Sequence, residues 1–495
     1  MNDNGETGMI KAFKENKVFI FVFFMCFAYW TYLFFTSSAS IVYDAVEYES
    51  LGELIYKKGW VEFFRIGPNR EPLYPLSIAM SMCLADMLNV PYQKIQTFFQ
   101  ILILCSVQIL AWKLMTVCFF KKWIKLLAVF YLGFSPAIVN AGFSLFSEIL
   151  AMPFVLLIVI FAARFWKEVQ TPGRNKRVVL TSIGLSFAFI GALCVKAVFQ
   201  YIFYFFIVIF LMGAIGALLQ NRKEVMKKII LGSLIMAALA GGFINGYKYM
   251  NKVSNGEFDF TDRYHVILFG TAYKRVQPLS RDVWSAHFAS ILGNKFCESI
   301  VNKEACLYPQ FFYADAVWPV ILPPLLVGIP EDKAPSKIVQ LSFEEIRKNP
   351  IQYFFLTYLE SLKMAFWEST QIGFVHYPRW LNQLFLNKLF KDGIRLVIAL
   401  LTYAGLFLVV LKIIKPRRKP PEFNSASHAT PVLFCIFCII LSFTALYSMF
   451  AIMIRYALPI APLYVICIAY FFDRTLGGSF NGQKISLRKR REFTI

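Results

Sequence analysis

Asp44 lies in Ser40-Ile41-Val42-Tyr43-Asp44-Ala45-Val46-Glu47, directly after an apolar run from Val18 to Ala39. A carboxylate so placed can act as general base on a sugar or lipid hydroxyl. Such a hydroxyl is a poor nucleophile until its proton is removed in the transition state, and a positioned carboxylate contributes about 10²–10⁴-fold. Glu47 follows one helical turn later on the same face, where it can assist or share a divalent cation. Further along stand Arg70-Glu71-Pro72-Leu73-Tyr74-Pro75, Ser147-Glu148, Lys196 and Arg455-Tyr456-Ala457-Leu458-Pro459, each flanking an apolar run. Lys196 sits between Leu193-Cys194-Val195 and Ala197-Val198-Phe199. A lysine at a helix centre costs about 2.5–3.5 kcal/mol on translocon scales, and a phosphate ligand is the simplest compensation. Arg455 reads as a second phosphate or pyrophosphate contact, because a guanidinium grips phosphate oxygens bidentately. A base and two phosphate-binding cations suggest an enzyme that works on a lipid at one bilayer face.

Each of these residues also has a plainer reading. Asp44-Ala45-Val46-Glu47 has the form of a helix capping box, and Glu47 can be a solvated surface acid. Glu148 suits the first turn of a helix, where the dipole favours an acid, although a carboxylate at the bilayer edge calls for a partner. Lys196 can snorkel to the interface. Arg70 and Glu71 can form a local ion pair, with Pro72 opening the next helix. Nothing in the sequence separates His376, Tyr377, Arg379 and Trp380 from ordinary interfacial packing, so they stay outside the candidate site.

The elements that must position these residues are membrane helices. Of 495 residues 58% are hydrophobic and 16% charged, against about 25% charged in soluble domains. The apolar excess falls in runs long enough to cross a hydrocarbon core, which takes about 20 helical residues. The formal net charge of +21 comes from short basic clusters between spans. That is the positive-inside pattern, so the charge reports topology and not a nucleic-acid partner. Eight cysteines (Cys26, Cys83, Cys105, Cys118, Cys194, Cys435, Cys438 and Cys467) lie in apolar runs and read as small packing residues. There is no CxxC pair with a second half and there are four histidines, which speaks against a zinc site.

With Lys11, Lys14 and Lys17 held in the cytoplasm, the first span is an uncleaved anchor that delivers Ser40 outside. Residues 40–71 form an outer loop with an amphipathic helix ending near Gly59. The short apolar stretch 73–89 is interfacial or re-entrant, since counting it as a span would put Lys121–Lys125 outside. Spans then follow at about 94–119, 126–145, 148–165, 178–195, 197–219, 229–249, 393–414, 430–453 and 456–473, which makes about ten with both ends cytoplasmic. Arg417–Lys419 fall inside. The expected organisation is an all-α polytopic membrane protein: an N-terminal transmembrane catalytic module (1–249), an extracytoplasmic region (250–392), C-terminal spans (393–474) and a basic cytoplasmic tail (475–495). Within the extracytoplasmic region, 350–367 reads as an interfacial helix whose apolar pattern is broken by Glu360 and Lys363. Cys297 and Cys306 are the two cysteines there, and an oxidising compartment would pair them.

Taken together, these residues resemble the GT-C membrane glycosyltransferases, in particular family 39 and the lipid-A-modifying relatives that use polyprenyl-phosphate sugars. In those proteins an acid follows the first span and an R-E-P-L-Y-P-like segment leads into an apolar helix. A Lys or Arg ends the fifth span, and an R-Y-x-L-P segment opens the last. Asp44, Arg70–Pro75, Lys196 and Arg455–Pro459 stand at those places here. Many relatives carry two adjacent acids in the first loop, whereas Ala45 follows Asp44 in this chain. That leaves open whether Glu47 takes the second acid's part and whether a divalent metal binds at Asp44, Glu47 or Glu148.

The resemblance implies inverting transfer of a sugar from a polyprenyl-phosphate donor to a hydroxyl of a lipid, glycan or protein acceptor. Asp44 would be the general base, and Lys196 and Arg455 would stabilise the leaving phosphate. Arg70, Glu71, Tyr74 and Tyr456 would lie near the substrate. The expected location is a bacterial inner membrane with the site outside. The rival readings are a ligase or polymerase of lipid-linked glycans, and a transporter or flippase. A transporter would place polar groups near mid-membrane, whereas these cluster at one face.

Overall fold

Inside lipid every backbone polar group must be satisfied by the chain itself, so apolar runs of this length become helices. The computed structural model describes residues 8–68, 70–118, 120–261, 264–330, 333–368, 374–414, 429–450 and 452–476. The chain starts with α1 (Gly8–Thr36), α2 (Asp44–Arg65) and α3 (Leu73–Leu88). The first membrane block continues through α4 (Tyr92–Val117), α5 (Lys122–Phe134), α6 (Pro136–Phe143), α7 (Glu148–Val169), α8 (Asn175–Leu193) and α9 (Phe199–Leu219). It ends with α10 (Lys223–Met236) and α11 (Gly242–Asn255), joined by a π-turn at Ala237–Gly241. A smaller region then holds α12 (Tyr264–Val276), α13 (Arg281–Ala289), α14 (Asn294–Ile300), α15 (Lys303–Leu307), α16 (Phe311–Leu325), α17 (Ala334–Lys348), α18 (Pro350–Ser361) and α19 (Arg379–Leu386). The last block is α20 (Lys388–Ile414), α21 (Ala429–Met449), a 3₁₀ segment at Ile454–Ile460, and α22 (Ala461–Thr475).

Among the described residues nine helices are long and apolar enough to cross a membrane, or ten if the bent pair α5–α6 is one span. The protein is an all-α polytopic membrane protein, and α3 falls short of a span, as its length implies. The π-turn lets α10 and α11 run as one span from Lys223 to Asn255, so the following region starts after Asn255. In its most apolar window the Ile454–Thr475 span is 83% buried and α7 is 61% buried, against 22% for α1. The first two form the centre of the bundle, and α1 lies at its periphery. The basic clusters Arg417–Lys419 and Leu487–Arg491 lie outside the described residues.

The break between α5 and α6 has a local cause. Ser135 leaves the helical region, Pro136 starts the next helix, and Ser135 Oγ accepts from Ile138 N at 3.3 Å. The axis turns by 46°. Glu368, fully buried, fixes the corner by accepting from Ala137 N (2.8 Å), from Ser135 Oγ (2.6 Å) and from the Tyr131 hydroxyl.

Residues 40–71 and the region after α11 occupy the same end of the bundle. Strand Ser38–Ala39 pairs with Val375–His376, Ser40 N donates to Phe374 O at 2.9 Å, and Asn255 Nδ2 donates to Phe64 O at 2.8 Å. At the opposite end, Lys121 N donates to Asp473 Oδ1 at 3.1 Å.

Two local expectations are corrected. Gly59 does not end its helix: at φ 81° it kinks α2, which then resumes to Arg65. The segment 350–367 is α18 plus a 3₁₀ turn, and its charged residues are buried along with Tyr353, Leu356 and Leu359. Glu360 and Lys363 are buried, while Ile351 (84% exposed) and Tyr358 (63%) face outward. The sequence pattern gave the amphipathic period correctly. It could not show that the charged face meets other charges inside the region. Cys297 and Cys306 are disulfide-bonded, with Cα atoms 5.8 Å apart, and tie α14 to α15.

Candidate functional site

The turn between α8 and α9 is the platform. Leu73 N donates to Cys194 O at 2.9 Å and Ala197 N donates to Glu71 Oε1 at 2.7 Å. The Arg70–Pro75 segment is thereby locked against Lys196. Glu71 thus serves the Lys196 turn, and the expected local ion pair with Arg70 does not form. Arg70 reaches instead to α2, where Nη2 donates to Asp44 Oδ1 and to Glu47 Oε2, each at 2.8 Å.

Asp44 is the first residue of α2 but does not cap it. The residue before it, Tyr43, has φ 53°, and no side chain caps this terminus. The capping-box reading is therefore corrected. Both carboxylate oxygens are engaged elsewhere, Oδ1 by Arg70 and Oδ2 by Arg455 from the 3₁₀ segment. Arg455 also lies over the Phe146 ring, 4.8 Å from its centroid, and 5.8 Å from that of Tyr456.

Beneath this pair, Lys196 Nζ donates to Glu148 Oε1 at 3.2 Å, both side chains being nearly inaccessible. Glu148 is thus the partner that a bilayer-edge lysine needs. Tyr48, one turn after Asp44, links the layers. Its hydroxyl is 2.9 Å from Ser147 Oγ, and the Arg70 guanidinium lies 5.0 Å from its ring centroid. Tyr74 is buried behind Tyr48, with ring centroids 4.9 Å apart, and its hydroxyl accepts from Gln100 Nε2 at 3.1 Å. It therefore supports the site wall from behind. Tyr456 stacks on Tyr447 at 5.1 Å.

Sequence reasoning passed over Tyr48, Phe146 and Tyr447. Spacing alone marked Tyr48, which stands one helical turn from Asp44. Phe146 and Tyr447 carried no signal, because aromatic residues are common throughout the spans. Phe374 packs on Phe146 with centroids 4.7 Å apart, so the smaller region reaches over the site. His376 bonds Ser40, Tyr377 bonds Asn140 and Trp380 bonds Tyr32. These three residues hold elements together, and they stay outside the site.

Burial alone would push the Asp44 carboxyl up, but Arg455, Arg70 and Lys196 outweigh it and hold it at about 2. Burial likewise opposes charge on Lys196, and Glu148 overcomes it, so the ammonium stays charged. Glu148 Oε2, Arg70 Nε and Arg455 Nε are buried without a hydrogen-bond partner among the described residues. Unsatisfied buried polar groups of this kind cost about 1–3 kcal/mol each. The two arginine Nε–H groups are the donors that a bound anion would satisfy.

The three carboxylates considered for a metal are each held by cations: Asp44 and Glu47 by Arg70, and Glu148 by Lys196. Among the described residues no group of three or more His, Cys, Asp or Glu side chains is placed to hold a metal ion. The chain matches no family model, and no curated protein matches it.

Proposed function

We propose that this protein is a membrane glycosyltransferase that moves a sugar from a polyprenyl-phosphate donor to an acceptor hydroxyl by a single inverting displacement on the extracytoplasmic face. The observation that supports this most is the Asp44–Arg455 pair. A carboxylate and a guanidinium from opposite ends of the chain meet at one end of the bundle, with Arg70 and the Lys196–Glu148 pair around them.

In the resting site Asp44 is charged, hence in the protonation state of a base, but its basicity is suppressed by Arg455. A donor phosphate offers Arg455 a better bidentate partner. Its buried Nε and that of Arg70 are the unpartnered donors facing that role. When Arg455 turns to the phosphate, Asp44 loses its strongest attracting charge and gains basicity. The acceptor hydroxyl then gives its proton to Asp44 as its oxygen attacks the anomeric carbon. The bond from that carbon to the phosphate oxygen breaks, and the electron pair leaves on the phosphate. Arg455, with the charge of Lys196 beneath, stabilises the developing anion. The donor is a membrane lipid.

Mass spectrometry of lipids and glycans from cells with and without the protein tests the reading. One sugar missing from one acceptor, restored by the wild-type chain and not by Asp44→Asn, is the expected result. Identical lipid and glycan profiles would sink it.

A further inference from the structure

A second cluster of cations sits where α20 begins, on residues that the proposed transfer does not use. Arg395 lies about two turns, roughly 10 Å, along α20, on a helix long and apolar enough to span the membrane. Its guanidinium is pressed against Gly293. A Cβ there would come within 2.5 Å of Nη1 and 3.2 Å of Cζ, and Gly293 itself holds φ at +122°. The backbone is therefore shaped to admit the guanidinium. On its other side the group lies over the Phe366 ring, 5.3 Å from the centroid.

This tightly seated side chain lacks hydrogen bonds: Nε and Nη2 are both buried and without a partner. Lys391, one turn earlier, feels the charges of Lys295, Asp392 and Arg395. Among the described residues no carboxylate comes within ion-pair distance of Arg395, Lys391, Lys388 or Lys295. Lys388, Leu389, Asp392 and Gly393 line an open depression of about 340 Å³ beside them, and Leu389 is 85% exposed. Four cations and one carboxylate, Asp392, thus gather about the first two turns of α20 and the start of α14. Two N–H groups of Arg395 stay buried and unsatisfied among these charges, an arrangement that a desolvated guanidinium tolerates only at a cost.

We propose that Arg395, Lys391 and Lys295 bind a phosphate group, that of an anionic lipid headgroup seated against α20, at a site separate from Asp44. A phosphate oxygen pair satisfies Nε and Nη2 of Arg395 side by side, the geometry in which a guanidinium surpasses an ammonium. The two lysines neutralise the remaining charge, the acyl chains lie along the outward residues Leu396, Val397 and Leu400, and Leu389 packs beside the headgroup.

The test uses the full chain in nanodiscs of phosphatidylcholine, with or without phosphatidylglycerol. Native mass spectrometry counts retained lipids, and thermal unfolding gives stability. The wild-type protein should retain phosphatidylglycerol in preference and be stabilised by it. Arg395→Gln and Lys391→Gln should each weaken retention about five-fold. Arg395→Lys should fall between them and wild type, because it keeps the charge and loses the fork. Inorganic phosphate is added in a separate arm. If it displaces the lipid and stabilises wild type but not Arg395→Gln, the site reads the phosphate alone. If it does neither, the lipid is the ligand. Wild-type retention in folded Arg395→Gln overturns the proposal. If that variant does not fold, unchanged retention in the Lys391→Gln, Lys295→Gln double variant overturns it.

Discussion

Two buried ionic clusters lie at the same end of this bundle, and they are finished differently. In the smaller region Arg275 donates from Nη2 to Glu360 Oε2 (3.0 Å) and to Phe450 O (3.2 Å). Its Nη1 donates to Ser448 O (2.7 Å) and Thr357 Oγ1 (2.8 Å). Lys363 is satisfied by Pro309 O at 3.1 Å, and Lys274 reaches Gln310 O at 3.3 Å. The carbonyls that close this cluster come from the ends of α21 and α15, so it clamps the smaller region onto the membrane block. Among the described residues the Asp44 cluster has no such carbonyl lining. Asp44 keeps 27% of its side chain exposed, against 5% for Glu360; a buried arginine Nε without a partner occurs in both clusters, at Arg275 in one and at Arg70 and Arg455 in the other. A cluster closed by backbone stabilises a fold. One closed by side chains and partly open at its carboxylate can exchange a partner for a ligand.

The largest effect should come from breaking the closed cluster. Removing one partner of a buried pair costs about 3–5 kcal/mol, so Glu360→Gln should lower the unfolding temperature strongly while transfer per folded molecule stays unchanged. Lost turnover in a fully stable variant would erase the contrast. At the open cluster, Asp44→Asn should reduce turnover by about 10² or more. Donor binding should hold or tighten, because Arg455 loses its competing carboxylate. Lys196→Ala should weaken both. Near-normal transfer by Asp44→Asn in a kinetic assay would leave Asp44 with a structural role only.

The disulfide comes next. In the chain-entropy model a loop of this size contributes roughly 2–3 kcal/mol. Cys297→Ser with Cys306→Ser should lose that much stability, and free thiols in the unreduced native protein would contradict the bond. The smallest effect separates the clusters by pH. Burial pushes His287 from its ordinary 6.5 down to about 3, against the pull of Glu360 and with Lys274, Lys363 and Arg275 opposing protonation further. The unfolded chain therefore takes up that proton first, and stability should decline as pH falls from 6.5 toward 3. Asp44, at about 2 against an ordinary 3.8, has the same sign in a lower window. Its contribution is complete above 3.8 and is lost toward pH 2. Thermal unfolding between pH 6.5 and 4 should flatten in His287→Gln; an unchanged slope would show that His287 is not the group responsible.

Much of the fold was legible because hydrocarbon imposes length and apolarity on every span. Each expected run reappears within a few residues, and the basic clusters sorted the loops to two ends. The failures share one cause. Glu360 and Lys363 read as breaks in the apolar pattern of an interfacial helix, and the plainer reading of Asp44 was a helix cap, because a local pattern records the period of a helix but not what packs against it. Glu368 gave no signal at all. Its importance depends on Ala137 and Ser135, which are remote in sequence.

The sequence alone therefore determined the class of protein, the order of its helices and the short set of charged residues at span ends. Those properties follow from composition and spacing along one dimension. Only the tertiary structure decided which charges meet. Asp44 and Arg455 are 411 residues apart, and no periodicity relates them. Their pairing, the Lys196–Glu148 support and the enclosure of Arg275 arise because a low-dielectric bundle cannot leave a buried charge alone. Helix packing then determines which opposite charge lies within reach.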